Sequence, residues 1–461
     1  MVRTRIFRHI FLAAILFGLC APTHAAPVLM ISIDGMKPEY VTQADQHNLK
    51  LPYLRSLMRD GAYASGVTGV WPTVTYPSHT TLLTGVPPAE HGILSNTLFD
   101  PDRALDGAWY WYTAEIHVPT LWQAAHSAGL RTASVGWPAS IGAKDIDYLI
   151  PEYWRGGAPG ATMGPTDRYL IAALSRPAGM FEEIQQRAGP YMRGNETTVE
   201  GDEIKTRYSI DILHTRKPGF MTIHLSSLDE AEHEHGPFSP EANRTIEAID
   251  GMVARLAAAA READPATVVL VVSDHGFVQI THHINLRIPF LKSGLIKMSD
   301  DPNPDDRSIV GWRAMPWFSG GMAAIMLHDA NDKEAAQQAG TLLHKLAADP
   351  NNGIAAVLDR EEIRKRGGFP DAAYVVVFKS GYYAGNGETG DLVTPISGSK
   401  GSHGFSPEFP EMHSSFFLAG PGIARHRDLG QIDMLQIAPT VAAILNVPLP
   451  TATATPLQVQ Q

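Results

Sequence analysis

The segment Val28-Leu-Met-Ile-Ser-Ile-Asp-Gly35 is a mostly apolar run that stops abruptly at Asp-Gly. A run of this length, bounded by a turn signal, is typical of a strand buried on both faces of a parallel sheet. Such a strand would deliver Asp34 to its C-terminal edge. Two later apolar runs, residues 219–225 and 267–273, likewise lead toward an aspartate.

Segments with the apolar spacing of helices lie between these runs, at residues 51–60, 120–129 and 239–261. Strands that alternate with helices predict an α/β fold with a mostly parallel central sheet and helices on both faces. Sites in such sheets form outside the carboxyl ends of the strands. The aspartates that follow the three apolar runs are therefore expected to meet at one edge.

The order of these elements predicts one catalytic domain, spanning residues 26–461. Residues 281–400 are irregular apart from two strand-like runs, at 321–327 and 373–378, and are interpreted as an inserted α/β segment folded against the site. Residues 155–200 are rich in Gly, Pro and Arg and have weak periodicity, which favours a long surface excursion.

The first 25 residues have the three parts of a secretory signal peptide. Three arginines among the first eight residues form a basic region, residues 10–19 are apolar but short for a bilayer, and Thr23-His24-Ala25 is a small-x-small cleavage site. We therefore expect export to the periplasm or outside the cell, with a mature chain that begins at Ala26; an uncleaved anchor is the alternative. Since Cys20 is the only cysteine, the mature chain would have no disulfide. No later run is long and apolar enough for stable membrane insertion.

The formal net charge of the chain is −11 at pH 7. Such an acidic balance argues against a nucleic-acid scaffold role. It does not exclude an anionic small-molecule substrate, because bound metal cations can reverse the local field. The oligomeric state is left open.

A second stretch, Val70-Trp-Pro-Thr-Val-Thr-Tyr-Pro-Ser-His79, holds hydroxyl groups between two prolines and then enters a short helix-like run. A hydroxyl at a helix entry lies near backbone N–H groups that favour an anion. Thr73 and Thr75 are therefore candidates for contact with a phosphate-like group. The simpler alternatives are that Thr75 only caps the helix and that Thr73 is a turn residue beside Pro72.

Further segments carry Asp and His in patterns that suit zinc, which prefers nitrogen and carboxylate ligands in near-tetrahedral sites. Asp229 and His233 are four residues apart and share one face of a helical turn. Adjacent Asp274 and His275 can reach one metal only where the chain turns sharply, which Gly276 permits.

The last such segment is Ser402-His403-Gly404, which by itself is usually just a loop. Each pattern alone is explained as simply by a loop or a buried salt link. Their combination, in order and at predicted strand ends, indicates a metal centre of the catalytic kind, which keeps a ligand position open.

These motifs together resemble the nucleotide pyrophosphatase/phosphodiesterase family of the alkaline phosphatase superfamily. The resemblance is carried by Ile33-Asp-Gly-Met-Lys-Pro-Glu-Tyr40, Pro72-Thr-Val-Thr-Tyr-Pro-Ser-His79, His233-Glu-His-Gly-Pro237, Val272-Ser-Asp-His-Gly-Phe277 and His403-Gly-Phe405. It implies an alkaline-phosphatase-like core and a hydrolase that acts on phosphodiester or phosphoanhydride bonds.

The resemblance also implies two zinc ions as cofactors. One ion would be held by Asp229, His233 and His403. The other would be held by Asp34, Asp274, His275 and the hydroxyl of Thr75.

The resemblance assigns the nucleophile to Thr75 rather than Thr73, and implies a covalent phosphothreonine intermediate. A threonine hydroxyl is a poor nucleophile until a metal or base removes its proton. Asn96 would help to bind a non-bridging phosphate oxygen, together with a backbone N–H near Thr75. Tyr76 would stack on a nucleobase, and Tyr153 would lie near the same pocket.

The chain departs from the family pattern at several positions, and these departures leave the identity of the substrate's leaving group undetermined. Tyr76-Pro77-Ser78-His79 stands where the family commonly has Phe-Pro-Asn-His, and Glu232 stands where it usually has Gly. Trp137-Pro138 and Pro151-Glu-Tyr-Trp154 resemble positions near the base pocket, but ordinary core aromatics explain them equally well.

Three other polar features are interpreted as solvated surface. Glu230, Glu232 and Glu234 would form a solvated face, and His282-His283 a solvated loop. Asn195-Glu-Thr197 is a formal glycosylation sequon.

The sequence therefore predicts an exported, zinc-dependent phosphodiesterase or nucleotide pyrophosphatase. The alternatives are a phosphomonoesterase, a phospholipid-headgroup or phosphonate hydrolase of the same superfamily, and a catalytically silent phosphoester-binding protein. A sulfatase is disfavoured, because its modified Cys or Ser motif is missing from the expected mature chain. The motifs carry no arginine beside Thr75 to clamp a doubly charged phosphate, which favours diesters over monoesters.

Overall fold

The computed structural model describes residues 26–101, 105, 107–154, 167–192, 197–301 and 308–460. The predicted signal peptide lies outside these residues, as do Asn195 and Glu196 of the sequon. Within them, no helix is both long enough and apolar enough to span a membrane.

The strands of the described residues are β1 (Val28–Ile33), β2 (Ala62–Tyr63), β3 (Gly66–Thr68), β4 (Thr132–Val135), β5 (Tyr148–Ile150), β6 (Phe220–Leu225), β7 (Val268–Val272), β8 (Val278–Ile284), β9 (Ile296–Met298), β10 (Ile309–Trp312), β11 (Ala314–Phe318), β12 (Met322–Leu327), β13 (Ile354–Asp359), β14 (Tyr374–Phe378), β15 (Tyr382–Ala384), β16 (Val393–Ser402), β17 (Phe416–Ala419), β18 (Arg427–Asp428) and β19 (Gln431–Asp433).

The α-helices are α1 (Glu39–Thr42), α2 (Pro52–Asp60), α3 (Thr75–Thr84), α4 (Pro88–His91), α5 (Leu121–Ser127), α6 (Asp167–Leu174), α7 (Met180–Ala188), α8 (Val199–Arg216), α9 (Ser227–His235), α10 (Pro240–Ala263), α11 (Arg287–Lys292), α12 (Lys333–Ala347), α13 (Arg360–Arg366) and α14 (Ile437–Leu445). Short 3₁₀ helices cover Thr113–Glu115, Pro350–Asn352, Pro410–Met412 and Met434–Gln436.

The central sheet has eight strands in the order β18-β2-β17-β7-β1-β6-β4-β5. The five from β7 to β5 run parallel, whereas β17 is antiparallel to both of its neighbours. All residues of β1, β6 and β7 are buried, which is why these strands read as nearly continuous apolar runs. The predicted mostly parallel α/β sheet is confirmed.

Two hydrophobic cores lie on the two faces of this sheet. One contains apolar residues of α2, α8 and α10, such as Leu54, Ile212 and Ile246. The other contains residues of α3, α5 and α14, such as Leu82 and Val441. At about 1.5–3 kcal/mol for each large apolar side chain that is buried, these cores hold the sheet rigid. The strand ends are therefore a stable platform for functional residues.

A separate lobe follows β8 and occupies most of the predicted insertion. Its four-stranded antiparallel sheet has the order β11-β12-β14-β13, and the predicted strands at 321–327 and 373–378 are confirmed as β12 and β14. Strands β8 and β16 pair with each other at the root of the lobe, where Val278 faces Ser402. The lobe thus leaves and rejoins the central domain at one place.

Two sequence-based interpretations of local structure were wrong. Residues 155–200 were expected to form a surface excursion, yet α6 and α7 fold there and Met180, Phe181 and Ile184 are buried. These helices are short, so their apolar spacing is difficult to recognise among Gly, Pro and Arg. His282 and His283 lie within β8 rather than in a loop, and the ring of His282 stacks on Tyr382.

Candidate active site

Adjacent parallel strands bring the three predicted aspartates to the same edge of the sheet. Asp34 follows β1, Asp274 follows β7 after one residue, and Asp229 lies in the first turn of α9, just after β6. The backbone N–H of Asp34 donates to the carbonyl of Leu225 at 2.9 Å, which ties the end of β1 to the end of β6. The predicted convergence of these residues is confirmed.

Two glycines make the turns at this edge possible. Gly35 has a φ of +73°, and its N–H donates to Asp274 Oδ1 at 3.1 Å. A side chain on Gly276 would place a Cβ 2.2 Å from the carbonyl oxygen of Glu411. The Asp-His-Gly turn thus needs glycine because the backbone of another segment passes close by.

The metal-ligand candidates form two groups that lie next to each other. The inner group consists of Asp34, Asp274 and His275, and the outer group consists of Asp229, His233 and His403. The nearest nitrogen and oxygen atoms of the inner group all lie within 4.8 Å of one another, and the same holds for Asp229, His275 and His403. His275 and His403 stack face to face with their ring centroids 3.8 Å apart.

The two groups differ in exposure. In the inner group, the side chains of Asp34, Asp274 and His275 are 5%, 0% and 0% exposed. In the outer group, Asp229 is 18% and His233 32% exposed, with His233 Nε2 3.4 Å from Asp229 Oδ2. The outer group is therefore more exposed than the inner group at Asp229 and His233, whereas the side chain of His403 is only 10% exposed.

Unpaired buried atoms show that both groups fit a cation. Asp34 Oδ1, Asp229 Oδ1, Asp274 Oδ2 and His275 Nε2 are buried and have no hydrogen-bond partner in the structure. Burial raises the pKa of Asp34 well above its usual range, and the negative charges of Asp274 and Asp229 add to the rise. Burial likewise raises the pKa of Asp229. Converging carboxylates of this kind are stable as anions when metal ions neutralise them.

Thr75 is the first residue of α3, and its side chain is almost buried. His79, one turn later, links it to the inner group, because His79 Nδ1 lies 2.8 Å from the carbonyl oxygen of Thr75 and 3.6 Å from Asp274 Oδ2. Burial lowers the pKa of His79 to about 3, so this ring is neutral. The predicted nucleophile thus lies at a helix start beside the inner group, and its role stays a prediction.

Thr73, two residues earlier, has different contacts. Its hydroxyl donates to the carbonyl of Phe405 at 2.7 Å, and its own carbonyl accepts from the N–H of Gly404 at 2.9 Å. His403 Nδ1 also lies 3.3 Å from the Thr73 carbonyl oxygen. Thr73 therefore positions the loop that carries His403.

Asn96 contacts the residue that follows Thr75. The backbone N–H of Tyr76 donates to Asn96 Oδ1 at 2.9 Å, which leaves the Asn96 amide NH₂ as its donor end. The ring of Tyr76 is wholly buried, with Trp109 at a centroid distance of 5.3 Å. The predicted roles of Asn96 and Tyr76 toward substrate stay predictions.

Tyr153 belongs to an aromatic cluster beside Tyr76. Its ring centroid lies 5.1 Å from that of Trp111, and Trp154 lies 4.7 Å from Trp109. Trp137, by contrast, is fully buried between His79 and Trp122 and is a core aromatic. The substrate contact predicted for Tyr153 stays a prediction.

The sequence analysis missed the roles of two polar residues behind the inner group, His224 and Glu152. His224, in β6, places Nε2 2.9 Å from Asp34 Oδ2 and Nδ1 3.1 Å from Glu152 Oε2. Burial alone would lower the pKa of His224, but the hydrogen bonds and charges of Asp34 and Glu152 outweigh burial and raise it to about 10. A histidine within an otherwise apolar strand was the available signal, since buried polar groups need partners.

Glu232 is a further correction, because the predicted solvated face is wrong for this residue. Its side chain is fully buried, and the hydroxyl of Tyr40 donates to Glu232 Oε1 at 2.8 Å. Burial raises the pKa of Glu232 well above its usual range. Glu232 follows Asp229 by three residues on α9, so the two share a helix face, and that spacing was the missed signal.

Comparisons with known proteins agree with this geometry. The family model described as type I phosphodiesterase/nucleotide pyrophosphatase matches residues 28–406. Similar curated proteins include human ectonucleotide pyrophosphatase/phosphodiesterase family member 1, 24% identical over 265 residues, and venom phosphodiesterase 2 of Crotalus adamanteus, 21% identical over 262 residues. The alignments cover 55% and 56% of this chain but only 24% and 27% of those proteins, so the chain spans about a quarter of their length.

Solved structures resemble the fold over nearly its whole length. Human ectonucleotide pyrophosphatase/phosphodiesterase 5 superimposes with a TM-score of 0.63 at 20% identity, covering 94% of this chain and 97% of the solved chain. An inactive form of the murine protein, in complex with AMP, gives the same TM-score and coverage at 19% identity. These likenesses establish the fold.

Proposed function

The chain belongs to the type I phosphodiesterase/nucleotide pyrophosphatase family, and from that premise we propose that it is a zinc-dependent phosphodiesterase. It hydrolyses a phosphodiester or phosphoanhydride bond of a small substrate through a covalent intermediate on Thr75. The observation that carries the proposal is the convergence of three carboxylates, each with a buried oxygen that has no hydrogen-bond partner, beside the start of α3. Each of these oxygens lies 3.1–3.7 Å from a histidine nitrogen of the two groups without a hydrogen bond to it, whereas buried polar atoms in a purely structural cluster are usually hydrogen-bonded.

The residues proposed to hold two zinc ions are those of the inner and outer groups, with the Thr75 hydroxyl completing the inner group. When bound, the two ions supply positive charge for the attacking and leaving oxygens of an in-line displacement. Asp and His are the ligand types that zinc prefers, and burial lowers the pKa of His403 well below its usual range, which keeps this ring in its neutral, ligating form.

Thr75 Oγ1 attacks phosphorus, the bond from phosphorus to the leaving oxygen breaks, and the proton of the Thr75 hydroxyl passes by way of solvent to the leaving oxygen. Water then attacks phosphorus and the bond from phosphorus to Oγ1 breaks. One proton of that water restores the Thr75 hydroxyl, and the remaining hydroxyl leaves with the phosphoryl product. Thr75 is held at the N-terminus of the ten-residue helix α3, where backbone N–H groups favour a phosphoryl oxygen. The NH₂ group of Asn96 is the proposed side-chain donor to that oxygen, since its carbonyl is held by Tyr76.

A turnover panel tests this function directly. The purified, zinc-loaded protein is assayed on p-nitrophenyl phosphate, bis-p-nitrophenyl phosphate, nucleoside 5′-p-nitrophenyl phosphates and ATP. We expect a higher kcat/KM on the diesters than on the monoester, and two zinc ions per chain by elemental analysis. A preference for the monoester would refute the diesterase assignment, and a maximum of one zinc would refute the two-metal site.

Export is proposed on the sequence alone. The basic, apolar and small-residue regions of residues 1–25 support secretion and cleavage after Ala25. Mass spectrometry of the exported protein should give a chain that begins near Ala26. An intact Met1 in exported material would contradict it.

A further inference from the structure

A continuous chain of buried hydrogen bonds connects the inner group to the residue that follows the proposed nucleophile. His224 Nε2 lies 2.9 Å from Asp34 Oδ2, and His224 Nδ1 lies 3.1 Å from Glu152 Oε2. The other oxygen of Glu152 accepts from the Tyr76 hydroxyl at 2.7 Å. Tyr76 in turn follows Thr75 directly in α3.

The groups along this chain are largely shielded from water. The side chain of His224 is 2% exposed, that of Glu152 is 11% exposed, and Tyr76 is fully buried. Both ring nitrogens of His224 face oxygen acceptors only, since Nδ1 also lies 3.1 Å from the carbonyl of Gly136. A ring in this position donates from both nitrogens and fixes the orientation of both carboxylates.

From these contacts we infer that His224 is a positioning residue for the proposed reaction, because it fixes Asp34 on one side and, through Glu152, the Tyr76 end of α3 on the other. With Oδ2 of Asp34 held by His224, Oδ1, which has no hydrogen bond and lies 3.4 Å from His275 Nε2, is the oxygen presented to the proposed inner metal position. Partners of this kind orient a metal ligand, and their loss typically lowers metal affinity or activity about 10- to 100-fold. The inference rests on the proposed function.

Glu152 is held firmly enough to transmit this constraint. Burial would raise the pKa of Glu152, but hydrogen bonds from His224 and Tyr76 and the charge of Lys205 outweigh burial and lower it. Glu152 is therefore a carboxylate that accepts from both neighbours at once. Movement of Asp34 would consequently disturb the Tyr76 hydroxyl and the helix start beside it.

Two variants of His224 separate its contacts. An asparagine amide reaches about as far as Nδ1, so His224→Asn keeps a donor toward Glu152 and loses the one to Asp34. A glutamine amide reaches about as far as Nε2, so His224→Gln keeps the donor to Asp34. We expect His224→Asn to lower the zinc affinity of one site and kcat about 10- to 100-fold. His224→Gln should recover most of the zinc affinity.

Zinc affinity is measured by competition with a chromophoric chelator, which does not depend on turnover. His91→Asn is the matched control, because His91 is also buried and bonded at both nitrogens, to Thr81 and Ile93, but contacts no candidate ligand. It should lose stability and keep the zinc affinity of the wild type. Should His224→Asn not fold, Glu152→Gln replaces it, with a loss of kcat and zinc affinity expected.

The link to α3 is tested by combining His224→Asn with Tyr76→Phe. Residues that act through one chain are not additive, so the double variant should lose less kcat than the product of the single losses. The inference would be overturned if the losses of kcat simply multiplied, or if folded His224→Asn kept the zinc affinity of the wild type. In either case the wild type would still bind two zinc ions, so the proposed function would stand. A wild-type protein that binds no zinc would instead overturn the proposed function and the inference with it.

Discussion

The inner and outer groups use similar residue types but are built differently. Asp34, Asp274 and His275 follow central strands whose register is fixed by the sheet, and they are buried. Asp229 and His233 lie on the nine-residue helix α9, while His403 lies on a loop at the root of the lobe. The sheet thus fixes the three Asp and His residues of the inner group, whereas the arrangement of the outer group depends on how helix and lobe meet. We expect the inner position to bind zinc more tightly.

The largest effect is expected at Thr75, which we propose as the nucleophile and as a ligand of the inner group. Thr75→Ala removes the attacking oxygen, so kcat should fall at least about a thousandfold, the scale for losing one member of a concerted catalytic unit. Asp34, Asp274 and His275 remain, so zinc content should be largely retained, and Thr75→Ser should keep substantial activity. Near-normal turnover of Thr75→Ala with zinc bound would end the covalent mechanism.

Metal removal tests the order in which the two groups release zinc. At a thousandfold excess over Kd, a ligand stabilises the folded state by about 4 kcal/mol, so chelation should lower the Tm markedly. The outer zinc should leave first, because its ligands are more exposed. Stepwise dialysis against chelator with zinc analysis and calorimetry measures this. Release of both ions in one step would contradict the distinction between the groups.

The stabilisation by zinc should grow with pH. In the absence of zinc, the raised pKa of Asp34 contributes stability that is full below the pKa of unfolded Asp and is lost as pH rises through the folded value. Bound zinc would take the place of the proton on Asp34, so the zinc-loaded protein would not lose this stability as pH rises. The difference in Tm between zinc-loaded and chelated protein should therefore widen from acidic to neutral pH, and a constant difference would contradict it.

A smaller effect is expected from a single outer ligand. His233→Ala should lower the affinity of the outer zinc by at least about tenfold, or 1.4 kcal/mol, because Asp229 and His403 remain. His235→Ala is the matched control, since His235 lies on the same helix, is 44% exposed and belongs to neither group. Isothermal titration calorimetry should show weakened binding for His233→Ala alone. Equal weakening in both variants would mean that α9, and not the ligand, was disturbed.

The smallest effect is expected at Thr73, whose hydroxyl is bonded to the lobe and not to a group member. Thr73→Ala removes one buried hydrogen bond and leaves the Phe405 carbonyl unpaired, which costs about 1–3 kcal/mol. Chemical denaturation should show this loss, with turnover far less affected than in Thr75→Ala. If kcat of Thr73→Ala fell as far as that of Thr75→Ala, the assignment of the catalytic hydroxyl to Thr75 would be wrong.

The sequence was sufficient to place those site residues that directly follow a buried strand. Asp34 and Asp274 could be placed because β1 and β7 are apolar on both faces and end at a turn. The burial of Glu232 depends on which face of α9 meets Tyr40, and that is set by long-range packing. Glu152 gave no local signal, since its partners His224 and Tyr76 are more than 70 residues away in sequence.

The pairing of β8 with β16 has a further consequence for chain topology. His275 lies three residues before the start of β8 and His403 immediately follows β16, so both ends of the lobe carry proposed ligands, with their rings stacked. In the proposed assignment the inner ion would tie His275 to Asp34 and Asp274, and the outer ion would tie His403 to Asp229 and His233. Both ends of the lobe would then be fixed to the central domain. Closing a long loop in this way removes conformational freedom, much as a disulfide does. In a chain whose only cysteine is Cys20, metal occupancy would therefore also govern how firmly the lobe is tethered and how readily a protease cuts its root.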